Sequence, residues 1–130
     1  MTRHTPSGAK AKGRILQQEI RKDLIEKVGI HELDIESTAM GQSGCDLYLS
    51  KAARDVFPFG VECKNTEHLD IWGAIDQCEM NARKEGLRPL LVFRRNRTIP
   101  RAVLPWIDFC SIWNEVLALR KRVQELEATP

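Results

Sequence analysis

The sequence predicts a single α/β domain in which helices flank a mixed central sheet. Three observations predict it. Two short segments, "CDLYLS" (45–50) and "PFGVECK" (58–64), alternate apolar and polar residues with the period of a strand. Arg14 to Val28 instead carries Leu16, Ile20, Leu24, Ile25 and Val28 at helical spacing and stops at Gly29. "PLLVF" (89–93) is a continuous apolar run that suits a strand in the interior of a sheet.

The elements follow in order. The first dozen residues are small, polar and basic and read as a flexible arm, with order expected from Gly13. In the first helix Gln17 interrupts the apolar face, so its amide is either a hydrogen-bonded core group or part of an inward-facing site. Glu19 lies at the edge of that stripe. "HELDIES" (31–37) reads as a strand and "TAMGQSG" (38–44) as a loop whose glycines permit close backbone approach. The segments 45–50 and 58–64 form a hairpin pattern across seven loop residues. Antiparallel pairing about the loop centre puts Asp46 across from Glu62, both pointing away from the Leu/Val face.

A second helix spans Asp70 to Lys84, with Ile71, Ala74, Ile75, Cys78 and Ala82 in a narrow arc suited to packing on a sheet. Gln77 and Asn81 stand one turn apart at its edge. After "PLLVF" comes "RAVLPWIDF" (101–109), an edge strand because Pro105 cannot join a central ladder. Ser111 to Glu127 is the final helix, so the expected organisation is a basic arm (1–12), a folded domain (13–110) and a C-terminal helix (111–130). Trp72, Trp106 and Trp113 read as packing or interface residues.

At 130 residues and 42% hydrophobic content the chain has material for one core. No apolar run reaches bilayer length, and the basic N-terminus lacks the apolar segment of a secretion signal, so a soluble, cytoplasmic protein is expected. Cys45, Cys63, Cys78 and Cys110 are widely spaced and read as reduced thiols, mostly in the core. Net charge is +2, yet Arg3, Lys10, Lys12 and Arg14 crowd one segment, and Arg94, Arg95 and Arg97 form another with Arg88 and Arg101. Such clusters are either solvated surface or the footprint of a bound polyanion.

Asp46, Glu62 and Lys64 carry the chemistry. A lone Glu-x-Lys is weak evidence, and by itself reads equally as an exposed charge pair. Here an Asp arrives on the preceding strand, and two carboxylates facing each other repel unless a cation lies between them. Phosphodiester hydrolysis needs a hard cation to polarise the phosphate and a positive group near the nucleophile. Asp46 and Glu62, with the Cys63 carbonyl as third ligand, suit the first need, and Lys64 the second.

"SGCD", a hairpin, "VECK" and a helix carrying Gln77 resemble the PD-(D/E)xK nuclease superfamily, whose core is restriction-endonuclease-like. The order "KGRILQQEI … GQSGCDLYLS … FGVECKN … PLLVF" is most similar to Holliday-junction resolvase-like endonucleases of phage type. That resemblance implies a helix, a three-stranded meander, a helix and a further strand, with Mg²⁺ or Mn²⁺ at the strand ends. It implies catalytic positions at Asp46, Glu62 and Lys64, and a functional loop serine at Ser43. The first helix of many members carries a catalytic Glu; here the inward position is Gln17, with Glu19 the nearest acid. Gln77 either contacts the scissile region or caps a hydrogen-bond network. Lys10, Lys12, Arg14, Arg94, Arg95 and Arg97 are the expected DNA contacts. A nuclease for another DNA substrate and a non-cleaving DNA-binding protein of the same fold are the alternatives.

One feature serves a junction, which needs two symmetric cuts. Ile112, Val116, Leu119, Val123 and Leu126 are spaced by four, three, four and three residues, the rhythm of a helix packing along a narrow seam. The seam packs either on its own domain or against a second copy, and the twofold task favours a homodimer.

Overall fold

The computed structural model describes residues 6–38 and 44–129. Helix α1 (Pro6–Asp23) runs into a π turn at Leu24–Val28 and is closed by Gly29, whose φ of 90° is the left-handed conformation that favours glycine. Because α1 starts at Pro6, Lys10 and Lys12 are helical rather than part of an arm. Leu16, Ile20 and Leu24 are buried as the stripe predicts. Val28 is exposed, since the wider π turn changes the phase, and Ile30 is buried in its place.

Strand β1 (Ile35–Ser37) pairs antiparallel with β2 (Leu47–Leu49), preceded by a single 3₁₀ turn at Glu32–Asp34. The expected hairpin between β2 and the next strand, β3 (Phe59–Asn65), is not a ladder; β3 pairs instead with β4 (Arg88–Arg94), in parallel. Two causes are visible. Six of the seven linking residues form helix α2 (Lys51–Val56), started by the Ser50 hydroxyl accepting from the Ala53 N–H at 3.2 Å. At the other end a side chain, Asp46, takes the N–H of Cys63 that a strand carbonyl would otherwise accept.

Helix α3 (Ile71–Lys84) makes the crossover from β3 to β4, its first turn capped by Asp70 accepting from the Gly73 N–H. Strand β5 (Arg101–Val103) adds antiparallel to β4 as the edge, giving the order β3-β4-β5 and a mixed sheet. The fold is therefore α/β and consistent with a restriction-endonuclease-like core. Helix α4 (Trp106–Ala128) ends the chain, starting five residues earlier than expected.

The two faces of the sheet differ. Leu16, Ile20, Leu24, Ile35, Leu47, Leu49, Val61 and Val92 form the larger core under α1. Between α3 and the sheet the buried apolar cluster is Ala74, Cys78 and Leu91, with Leu69, Ile71, Ile75, Phe93 and Val103 half-covered around it. Gly60 lets α3 approach closely: a Cβ there would lie 2.8 Å from both the Ala82 Cβ and the Cys45 Sγ. Trp72 and Trp106 are about three-quarters exposed and Trp113 is also exposed, so none of the three is a core residue. Among the described residues no helix is long and apolar enough to cross a membrane.

Candidate active site

Asp46 stands just before β2 and is fixed from three directions. Its N–H donates to the Val61 carbonyl at 3.0 Å, its carbonyl accepts from the Thr38 N–H at 2.7 Å, and its Oδ2 accepts from the Cys63 N–H at 2.7 Å. The carboxylate thus lies against the stretch of β3 centred on Glu62, as the alternation predicts. Glu62 and Lys64 share the α3-facing side of β3, two residues apart. Glu62 is 2% exposed, and one of its carboxylate oxygens accepts from the Asn81 side-chain amide at 2.8 Å.

Burial raises the pKa of both acids. For Asp46 it outweighs the Cys63 N–H and the charge of Lys64, which act the other way. Glu62 is pushed up to about 7, first by burial and then by the neighbouring Asp46 charge, against the Asn81 amide and Lys64. The two carboxyl groups are close enough to share a proton, and Lys64 alone does not compensate them. An acid pair in that condition fits a cation.

The donor set says which kind. Among the described residues no group of three or more His, Cys, Asp or Glu side chains surrounds one point, so an all-side-chain cage is absent. A strand residue's N–H and C=O point the same way, and the Cys63 N–H points at Asp46. Its carbonyl therefore lies on the Asp46 side of β3. Two carboxylates and a carbonyl are all hard oxygen donors, the set that suits Mg²⁺ with its retained waters. The buried thiols do not compete, since burial pushes Cys45, Cys63 and Cys78 up and keeps them protonated. All four cysteines are free, three of them buried.

Gln17 is buried, and its Oε1 accepts from the Ser37 hydroxyl at 2.6 Å. Ser37 precedes Thr38, whose N–H holds the Asp46 carbonyl, so Gln17 braces the end of β1 against which Asp46 is held. Glu19 is elsewhere: it is ion-paired with Arg94 at the end of β4. That pairing also takes Arg94 out of the freely available basic cluster, whereas Arg95 and Arg97 are exposed. Lys10 and Arg14 are exposed on α1 one turn apart, while Lys12 is half-buried and its carbonyl accepts from the Asn65 amide at 3.2 Å. Gln77 is exposed; Asn81, one turn on, is the residue that reaches Glu62. The polar pair at i and i+4 is the signal that could have found it. Ser43 lies outside the described residues.

An α/β fold that brings Asp, Glu and Lys together at β2 and β3, with a parallel crossover behind them, defines the PD-(D/E)xK class of nucleases. Residues 8–127 match the family described as "Phage putative PDDEXK endonuclease", and the chain belongs to that family. Neither a curated protein nor a solved structure matches it.

Proposed function

We propose that this protein is a Mg²⁺-dependent endonuclease that hydrolyses phosphodiester bonds in branched DNA such as a four-way junction. The observation that carries the reading is the half-buried Asp46 set against the buried Glu62, with Lys64 beside Glu62 on the same strand face. Asp46, Glu62 and the Cys63 carbonyl would hold the ion, and Mn²⁺ has the same ligand preferences. Bound there, the cation supplies phosphate polarisation and a water of lowered pKa. The Lys64 ammonium orients the attacking water and offsets charge gathering on the phosphate. Asn81 keeps the Glu62 carboxylate in one orientation, and Gln17 fixes the strand end behind Asp46. Gln77 and Ser43 are assigned to the substrate side, and Lys10, Lys12, Arg14, Arg95 and Arg97 to the DNA backbone. The setting is the host cytoplasm.

Two symmetric cuts require two sites, and α4 offers the means. None of its residues is buried, and Leu119, Val123 and Leu126 are more than half exposed. In heptad terms Phe109, Val116 and Val123 occupy one seam position and Ile112, Leu119 and Leu126 the other. Val paired with Leu in this way favours two parallel strands. In that register Glu115 of one copy meets Arg120 of the second, and Arg122 meets Glu127, so both flanking pairs attract. The partner is a second copy of this chain.

The test compares a four-way junction, a flap, a linear duplex and single-stranded DNA at one salt concentration, with and without Mg²⁺. Paired cuts in the junction, absent without the metal and in Asp46→Asn, are expected. Equal rates on linear duplex would remove branch selectivity. No metal-dependent cleavage of any substrate would overturn the endonuclease reading.

A further inference from the structure

A cavity of about 590 Å³ opens where β3 and β4 end, the side of a parallel strand pair at which α/β folds receive ligands. Its apolar lining is Leu69, Phe93 and Ile99, and its basic lining includes Arg95, Arg97 and Arg101. Ile99 is 70% exposed at the edge of the cavity, in a strongly basic loop. The turn bearing the arginines is built rather than slack. The Thr98 hydroxyl accepts from the Arg95 N–H at 3.2 Å and donates to the Arg95 carbonyl at 2.9 Å. Asn96 donates its N–H to the Glu67 carboxylate at 2.8 Å, and Arg97 is held at a φ of 63°, a left-handed conformation rare for arginine. Phe93 is the strand partner of Lys64, so the cavity adjoins the candidate active site.

We propose that this cavity is a subsite for one unstacked nucleotide of the DNA substrate, next to the phosphate at Lys64. The inference rests on the DNA-endonuclease reading. The base lies against Phe93, Leu69 and Ile99, and its flanking phosphates meet Arg95, Arg97 and Arg101. A groove that only followed phosphates would have no use for the apolar floor. Continuous duplex keeps its bases stacked and fills the cavity only after unpairing, whereas a branch point or flap offers an unpaired base at little cost. The subsite therefore supplies a physical basis for branch selectivity that the acid pair lacks.

The experiment is a binding cycle with the full chain in EDTA, so that no metal-dependent cut intervenes. A flap substrate carries a single abasic residue, moved one position at a time across the branch point. One position is expected at which removing the base weakens binding about tenfold, the size of one aromatic stacking contact. Ile99→Ser, at an exposed site where folding is not at issue, should weaken binding to the intact flap and abolish the response to that one abasic position. Phe93→Leu provides the second arm from the floor of the cavity. Additive effects at every position for both variants overturn the subsite. Plasmid cleavage in Mg²⁺ is followed on the same preparations: cleavage with additive binding overturns the subsite alone, and coupling supports it whether or not the plasmid is cut.

Discussion

Asn81 donates a hydrogen bond from its side-chain amide to the buried carboxylate of Glu62 at 2.8 Å, across the interface between α3 and β3. Gly60, two residues before Glu62, makes the approach possible, since no Cβ there separates the strand from Ala82, the residue after Asn81. Asn81 is thus a positioning residue for the acid pair. Asn81→Ala is expected to lower cleavage about 10- to 100-fold, the usual cost of losing a partner behind a metal ligand. Since the amide holds the Glu62 pKa down, its loss should also move the acid limb of the pH–rate profile to higher pH. A uniform drop with an unmoved profile would reduce Asn81 to a packing role.

Glu62 links metal, proton and stability. Its folded pKa of about 7 lies above its ordinary value of 4.5, so the folded metal-free protein holds a proton that the unfolded chain releases. Stability should be unaffected below about pH 4 and fall as pH rises to 7, by at most about 3 kcal/mol for the shift of this group. On the proposed reading Mg²⁺ takes the ionised pair, so its stabilising effect should grow over the same range. Thermal unfolding in EDTA and in Mg²⁺ at pH 5.5 and pH 8 checks both signs. A Mg²⁺ effect larger at pH 5.5 would place the ion elsewhere.

On α1 two neighbours have opposite expected effects. Gln17→Ala should reduce cleavage more than Glu19→Ala, because Gln17 braces the strand end behind Asp46. Glu19→Gln releases Arg94 from its ion pair and should tighten binding to all DNA forms a fewfold, with a steeper salt dependence. Filter binding over a salt series measures it. Loss of cleavage in Glu19→Gln with unchanged affinity would make Glu19 an acidic ligand instead.

The seam of α4 is tested by Val116→Glu with Val123→Glu. Light scattering should report a monomer, and the junction should accumulate nicked product because the two cuts are no longer coupled. A wild-type monomer at micromolar concentration that still makes paired cuts would remove the dimer.

Asp46, Glu62 and Lys64 were legible because strand alternation and a Glu-x-Lys at a strand end survive any error in pairing. The strand partners were not. Six residues after Ser50 formed a helix too short to leave a periodic signal, and the Asp46 side chain replaced a ladder bond. The Glu19 partner was illegible for a different reason, since Arg94 lies 75 residues away and only the fold brings them together. Gln77 and Asn81 could be placed together on one edge, but not ranked, because they share nearly one helical phase and only the axial position of α3 along β3 decides which one reaches Glu62.

The unequal faces of the sheet bear on the order in which the molecule comes apart. The larger cluster beneath α1 should protect its amides from hydrogen exchange up to the global limit, while α3, held by a buried apolar cluster of only Ala74, Cys78 and Leu91, should open at lower free energy. Asn81 leaves with α3. In mild urea, therefore, α3 amides should exchange and catalysis should fade while the α1 helix signal is still intact, and Mg²⁺, held at Glu62 as proposed, should close the gap between the two midpoints.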